Sequence, residues 1–336
     1  MRKGSRTISG VTPVAVMSRP APCPGSCVFC PTYPDAPKSY TPESPAVLRA
    51  LACDFDPQKQ VELRLKILSR MGHPGDKIEL IVMGGTFLAT EPDYQYSFIK
   101  SCYDALNGKI SSNLEEAKHI NESSAFRCVG LCIETRPDWC GEAEVNRMLE
   151  FGATRVELGV QALDDDIYSL VRRGHSVSDV ARATALLKKY GLKVYYHWMP
   201  GLPGSSIDHD LEMTRMLFED ERFKPDGRHS PYTMDELTVL LADIKAMVPG
   251  YVRVPRVMRD IPTRFIVAGC RDLALRSNVQ EAMKTRGLQC QCTRCREYGH
   301  RRRDGWRIGQ PSLHRYEYTA SGGREIFLSY EDATGT

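Results

Sequence analysis

The sequence predicts an α/β protein built on parallel strands. Three observations carry that prediction. Short apolar runs alternate with amphipathic stretches from residue 11 to about residue 225. The run at 78–83, Ile-Glu-Leu-Ile-Val-Met, is nearly all apolar, as expected for a strand covered on both faces. Each readable strand also ends in a polar or glycine-rich turn, and strand ends of that edge carry the sites of parallel folds.

Five strands are expected, at Val14–Ser18, Ile78–Met83, Cys128–Glu134, Arg155–Gln161 and Val194–Met199. Helices are expected between them. Gln58–Met71 and Tyr94–Leu106 repeat apolar residues every three or four positions. Asp164–Arg173 is stopped by Gly174. Ser176–Tyr190 opens on a capping box, Ser176 with Asp179, and closes at Gly191. Thr233–Val248 is a further helix. From His314 onward, two strands flank a Gly322-Gly323 turn.

Composition narrows the class. Of 336 residues, 42% are hydrophobic and 26% charged, which excludes a disordered chain. No apolar run approaches the roughly 18 residues of a membrane helix, and the basic N-terminus lacks the apolar stretch of a signal peptide. A soluble, cytoplasmic protein is expected. Net charge is only +3, but residues 251–310 hold 14 Lys and Arg against 5 Asp and Glu. The first twenty residues hold four basic side chains and no acid. Such segregation suits a polyanion partner, although solvated surface arginine would look the same.

The strongest chemical signal is Cys23-x3-Cys27-x2-Cys30, directly after the first strand. Three thiolates in one tight loop can hold three irons of a [4Fe–4S] cluster and leave the fourth open. A zinc site with a distant fourth ligand is the alternative. The turn Gly84-Gly85-Thr86, the segment Glu134-Thr135-Arg136, Gln161 and His197 all fall at or near strand ends, where they would converge on the cysteine loop. A second group, Cys290-x-Cys292-x2-Cys295, reads as a zinc loop needing a fourth ligand. Cys270 and His300 are the candidates, with Cys270 preferred because thiolate-rich sites tend to be all sulfur.

The cysteine loop followed by the glycine turn resembles the radical S-adenosylmethionine (SAM) superfamily. Within it, VAVMSRPAPCPGSCVFCP (14–31), SYTPESP (39–45), GHPGDKIELIVMGGTF (72–87), IETRPD (133–138), RVELGVQ (155–161), MPGLPG (199–204) and CQCTRCREYG (290–299) resemble the Elongator catalytic-subunit family. The resemblance implies a partial (β/α)6 barrel of the TIM type at 21–249. A basic tRNA-binding segment at 1–20 precedes it. A zinc-bearing basic linker at 250–310 follows, and then the start of a GNAT-like α/β domain at 311–336. Fewer than two dozen residues follow His314, too few for such a domain to hold its own core.

The implied activity is carboxymethylation of C5 of the tRNA wobble uridine. It would use acetyl-CoA and SAM through a 5′-deoxyadenosyl radical. The implied partners are the tRNA anticodon stem-loop, acetyl-CoA and an electron donor protein, with a homo-oligomer compatible and no membrane. Another radical SAM enzyme of methylthiotransferase type, a protein lysine acetyltransferase and a non-catalytic tRNA-binding subunit are the competing readings.

The resemblance assigns Cys23, Cys27 and Cys30 to the cluster. Gly84, Gly85, Thr86, Glu134, Arg136, Gln161 and His197 become cofactor contacts, with Glu134 and His197 also catalytic candidates. Lys77 is linked to acetyl-CoA and to catalysis, although a strand-start position puts it opposite the cluster. Arg136 could equally serve as an ion-pair partner. Arg6, Arg253, Arg256, Arg259, Arg264, Arg294, Arg296, Arg301, Arg302 and Arg303 are expected on tRNA phosphates. Family members place a longer segment, with the next barrel strand, where this sequence runs from Gly227 almost directly to Pro231. A sixth strand is therefore not expected within Arg228–Ser230.

Overall fold

Ile78, Leu80 and Val82 are wholly buried, while the residues that alternate with them, Lys77, Glu79 and Ile81, are not. This period of two shows what the chain builds: a sheet with one face under helices. The computed structural model describes residues 10–229, 234–255, 257, 275–302, 305 and 307–336. It divides into two compact units, Met1–Glu157 and Leu158–Thr336.

In the first unit, strands β1 (Thr12–Met17), β2 (Lys77–Met83) and β3 (Arg127–Thr135) pair in parallel, β1 on β2 and β2 on β3. Parallel neighbours need crossovers, and helices supply them. Pro45–Leu51 and Pro57–Arg70 link β1 to β2; Pro92–Asn107 and Leu114–Asn121 link β2 to β3. Pro57 occupies the first helical turn and the Asp56 side chain accepts from Lys59 N at 3.0 Å, so the helix starts where its free N–H groups are served. Helix Glu142–Phe151 then leads into β4 (Arg155–Gln161).

The expectation that 78–83 is covered on both faces needs correcting. Its helix-facing side is fully buried, but the other side, with Glu79 and Ile81, is half-buried. On that inner face Arg155 forms ion pairs with Glu79 and, at 3.3 Å, with Glu157. Charges replace the branched apolar side chains that usually fill a barrel.

In the second unit β4 is followed by β5 (Lys193–Trp198) and β6 (Gly227–His229), in that order. The exclusion of a sixth strand is thus overturned. Gly227–His229 pairs in parallel with Tyr195–His197. Three residues suffice because Asp226 sets the register: its N–H donates to Val194 O at 2.7 Å and its carboxylate accepts from Val194 N at 2.7 Å. The capping box is present, with Asp179 N donating to Ser176 Oγ at 3.1 Å and Ser176 N to Asp179 Oδ2 at 2.8 Å. It opens helix Val177–Lys189.

Helices Met234–Met247 and Leu275–Thr285 build a separate core from Leu237, Leu240, Leu241, Ile244, Val279 and Met283, and Cys292 is buried within it. Finally β7 (Ser312–Ala320) and β8 (Gly323–Glu331) form an antiparallel hairpin. Ser321 and Gly322 turn it with positive φ at both positions, the geometry that suits a tight hairpin. Among the described residues no helix is long and apolar enough to cross a membrane.

One buried side chain ties the helices to the strand that precedes the cysteine loop. Gln60 donates to Met17 O and accepts from Met17 N, both at 2.9 Å. Gln60→Leu leaves those two backbone groups unserved. It should lower unfolding stability by about 2 kcal/mol in urea titration, with the urea m-value unchanged.

Candidate functional site

β1 and β2 end together. Met17 is opposite Met83, and Ser18 N donates to Met83 O at 2.9 Å. The chain then leaves β1 into the cysteine loop and leaves β2 into Gly84-Gly85-Thr86, so the two turns start from one edge. Cys23 Sγ lies 3.7 Å from Thr86 Oγ1. Cys23, Cys27 and Cys30 are all half-buried. Gly25 N donates to Cys23 Sγ at 3.4 Å, and Cys30 Sγ is 3.3 Å from Ser39 Oγ. Burial raises the Cys30 thiol above its ordinary pKa, against the Ser39 hydrogen bond.

Arg136 is 4% exposed and stands against this loop, with Nη1 at 4.0 Å from Cys27 Sγ. Asp138 holds it by two bonds of 2.9 Å. Burial works against its charge, but Asp138 and the Cys27 and Cys23 sulfurs more than offset this and its pKa is raised. A fixed cation thus faces the sulfurs. A Cβ at Gly25 would sit 2.0 Å from Arg136 Nη1, so any side chain there displaces the guanidinium from the loop.

Gly84 and Gly85 have φ of 140° and 78°. A side chain at Gly84 would also meet Ser18 Oγ at 2.0 Å. That Ser18 hydroxyl is buried with no hydrogen-bond partner. Glu134, 8% exposed at the end of β3, accepts from Tyr40 OH at 2.6 Å. A Glu157 carboxylate oxygen lies within 4.8 Å of one from Glu134. Tyr40 and Glu157 are the residues that motif reading missed. The charged pair Arg155 and Glu157, two apart on a strand, was the available signal for an unusual inner face. Lys77 opens β2 and is exposed. Six residues of strand, about 20 Å, separate it from Met83 and the glycine turn.

In the second unit Gln161 closes β4 with φ of 76°, an uncommon conformation for a residue other than glycine. Its Oε1 is buried and has no partner. His197 lies on β5 between Tyr196 and Trp198, which are both 1% exposed, so it faces the other side of the strand. Cys290, Cys292 and Cys295 place their sulfurs within 4.8 Å of one another. Hydrogen bonds from Cys290 and Cys295 hold the Cys292 thiol well below its ordinary pKa, and the same sharing pushes Cys290 well up. His300 Nε2 stands 3.7 Å from Glu297 Oε2. Cys270 lies outside the described residues.

The arginine tract divides. Arg296 is not available to phosphate, and that expectation is corrected. It is 6% exposed and bonded to Glu331 at 2.7 Å, Gln291 O at 2.8 Å, Gly250 O at 2.8 Å and Gly335 O at 2.9 Å. Arg301 donates to Thr336 Oγ1 at 2.6 Å. Arg253 pairs with Glu297 at 2.8 Å and stays half-exposed. Arg294 is half-buried, and Arg302 is exposed. Arg6, Arg256, Arg259, Arg264 and Arg303 lie outside the described residues.

The family model of the radical SAM superfamily matches residues 21–217. A Dehalococcoides mccartyi protein named tRNA uridine(34) acetyltransferase is 61% identical over 357 residues, covering 100% of this chain and 78% of that protein. The chain belongs to the radical SAM tRNA uridine(34) acetyltransferase family. The human protein named Elongator complex protein 3 is 39% identical over 363 residues, covering 98% of this chain and 66% of its own. Among solved structures, the archaeal Methanocaldococcus infernus Elp3 with an N-terminal deletion superposes with a TM-score of 0.85 at 43% identity, over 97% of this chain and 75% of that one. The alignment with the Dehalococcoides relative runs to 357 positions against 336 residues, so that family member carries residues this chain lacks.

The first cysteine group fits the [4Fe–4S] cluster that the radical SAM family implies, and the second has the donors a zinc ion takes. Sulfurs around one tetrahedral zinc stand about 3.8 Å apart, which suits Cys290, Cys292 and Cys295. Cys23, Cys27 and Cys30 offer three half-buried thiols from one loop, the number of protein ligands that leaves one iron of a [4Fe–4S] cluster open. In the first unit the orphaned Ser18 hydroxyl, next to the end of β1 and the cysteine loop, is a ready partner for a bound cofactor. Gly25→Ala forces Arg136 off the loop. It should lower the iron retained after anaerobic reconstitution about tenfold, read as iron and sulfide per chain, while far-ultraviolet circular dichroism stays unchanged.

Proposed function

We propose that the protein carboxymethylates C5 of uridine 34 in tRNA, with SAM as radical source and acetyl-CoA as carbon donor. The observation that carries this reading is the three-cysteine loop seated against Gly84-Gly85-Thr86. It occurs in a chain 61% identical to a protein named tRNA uridine(34) acetyltransferase. Held by Cys23, Cys27 and Cys30, a [4Fe–4S] cluster would supply the electron for reductive cleavage of SAM, chemistry that would activate the acetyl methyl group for bonding to C5, with CoA leaving as water hydrolyses the thioester.

The chain's own part is to hold, orient and exclude water. Cys23, Cys27 and Cys30 ligate three irons, and Arg136 offsets the charge of their thiolates. Gly84 and Gly85 bring bare backbone to the methionine end of SAM, beside Thr86. Gln161 offers its free amide oxygen to a hydroxyl or amine donor. Glu134, oriented by Tyr40, and His197 are the polar contacts for ribose or substrate. Lys77, exposed at the far edge of β2, suits a counterion for acetyl-CoA phosphates better than a group at the reacting carbon.

Cys290, Cys292 and Cys295 hold a structural zinc, with Cys270 as the expected fourth ligand. It clasps the basic segment that meets the anticodon stem-loop. The chemistry calls for an electron donor protein and for the reducing cytoplasm, where thiols stay free.

Reduced, reconstituted protein given SAM, acetyl-CoA and tRNA should release 5′-deoxyadenosine and yield carboxymethyluridine by nucleoside mass spectrometry. Cys27→Ala should yield neither. Cluster-loaded protein that makes neither product would overturn the assignment. For tRNA binding, Arg302→Gln should reduce the slope of log affinity against log salt by about 1. Arg296→Gln should leave the slope alone and lower the melting temperature instead.

A further inference from the structure

Lys245 lies in helix Met234–Met247 and is 1% exposed. Leu241 and Ile244 of the same helix, and Val248 just after it, belong to the apolar core that also encloses Cys292. An ammonium in such surroundings has lost its water and needs a compensating charge. Its hydrogen-bond partner here is a sulfur: Nζ donates to Cys295 Sγ at 3.4 Å. A neutral thiol is a weak acceptor and compensates nothing. A metal-bound sulfur would supply that charge, and the three sulfurs lie within 4.8 Å of one another, close enough to share one ion. Arg276, half-buried and anchored to Val254 O at 2.7 Å, is a second cation, on helix Leu275–Thr285 that shares this core.

We infer that Lys245 is a built-in part of the sulfur centre, a positioning residue whose N–H···S bond and positive charge set how tightly the metal is held. The inference rests on the zinc reading given above. On metal binding the cysteine thiols release their protons to solvent as sulfur–zinc bonds form. The metal with its thiolates then carries net negative charge, which Lys245 neutralises across one hydrogen bond. Without metal, the same lysine is a burden in an apolar core. Its effect on stability should therefore change sign with metal loading, which a purely structural side chain would not do.

The test uses the full chain in four forms: the natural sequence, Lys245→Met, Lys245→Arg, and Lys284→Met as a control on the exposed side of helix Leu275–Thr285. Zinc per chain is measured after gel filtration, then the rate of zinc transfer to a chromogenic chelator. The expected result is about tenfold faster loss from Lys245→Met, partial rescue by Lys245→Arg, and no change in Lys284→Met. In melting curves Lys245→Met should be the less stable form with zinc and the more stable form after chelation. Zinc held equally well by Lys245→Met and the natural chain overturns the role of Lys245 and leaves the zinc site standing. A natural chain that binds no zinc overturns both. If Lys245→Met does not fold, Lys245→Gln and Lys245→Arg carry the same comparison, and chelator rates equal to the natural chain in both refute the inference.

Discussion

The parallel pairing of β1 with β2 is the constraint on which the site depends. Both strands stop at the same level, Met17 beside Met83, and one further bond, Ser18 N to Met83 O at 2.9 Å, closes the ladder. Everything with chemistry in the first unit leaves from that edge. The cysteine loop and the glycine turn meet because their strands run in the same direction. An antiparallel pair would have sent them to opposite ends. Gln60 reinforces the arrangement by holding both backbone groups of Met17.

Charge is distributed along the first unit in a way that suits a ligand more than a core. Glu79, Arg155, Glu157 and Glu134 occupy inward positions of three strands. Arg155 pairs with two of the carboxylates, and Tyr40 serves Glu134. Three acids against one arginine leave a negative inner face, while Arg136 puts a cation against the sulfurs at the rim. The Ser18 hydroxyl, buried without a partner, fits the same picture. Buried polar atoms are almost always bonded, so an exception beside the cysteine loop and the glycine turn calls for an explanation.

The second unit answers a different physical problem. A short, basic, cysteine-bearing stretch must keep one shape. It does so through its own apolar core, through the sulfur group and Lys245, and through Arg296. With Glu331 and three backbone carbonyls, Arg296 ties the cysteine loop to the final hairpin. Tyr251 and Tyr318 stack at 3.8 Å across the same junction. Arginine richness therefore overstates the surface open to a polyanion, because some of these side chains are structural.

Much was legible in the sequence. Period-two and period-3.6 patterns located the five strands of the parallel sheet to within a few residues and five of the helices, but not Leu114–Asn121, Glu142–Phe151 or Ile207–Glu219. Ser176 with Asp179 marked a helix start, and the spacing of Cys23, Cys27 and Cys30 marked a ligand loop, because these are local rules acting between near neighbours. What spacing could not decide was set by distant partners. The three-residue strand at Gly227 exists because Asp226 docks on Val194. Arg296 is buried because Glu331 and three carbonyls surround it. Glu157 and Tyr40 face the site because β3, β4 and the post-cluster loop approach one another there. The chain alone determines which residues can form an element or ligate a metal, since that depends on a few adjacent bonds. Only the fold decides which charges are paired and which are left for a ligand, since pairing depends on groups that are far apart along the chain and meet only when strands and helices pack.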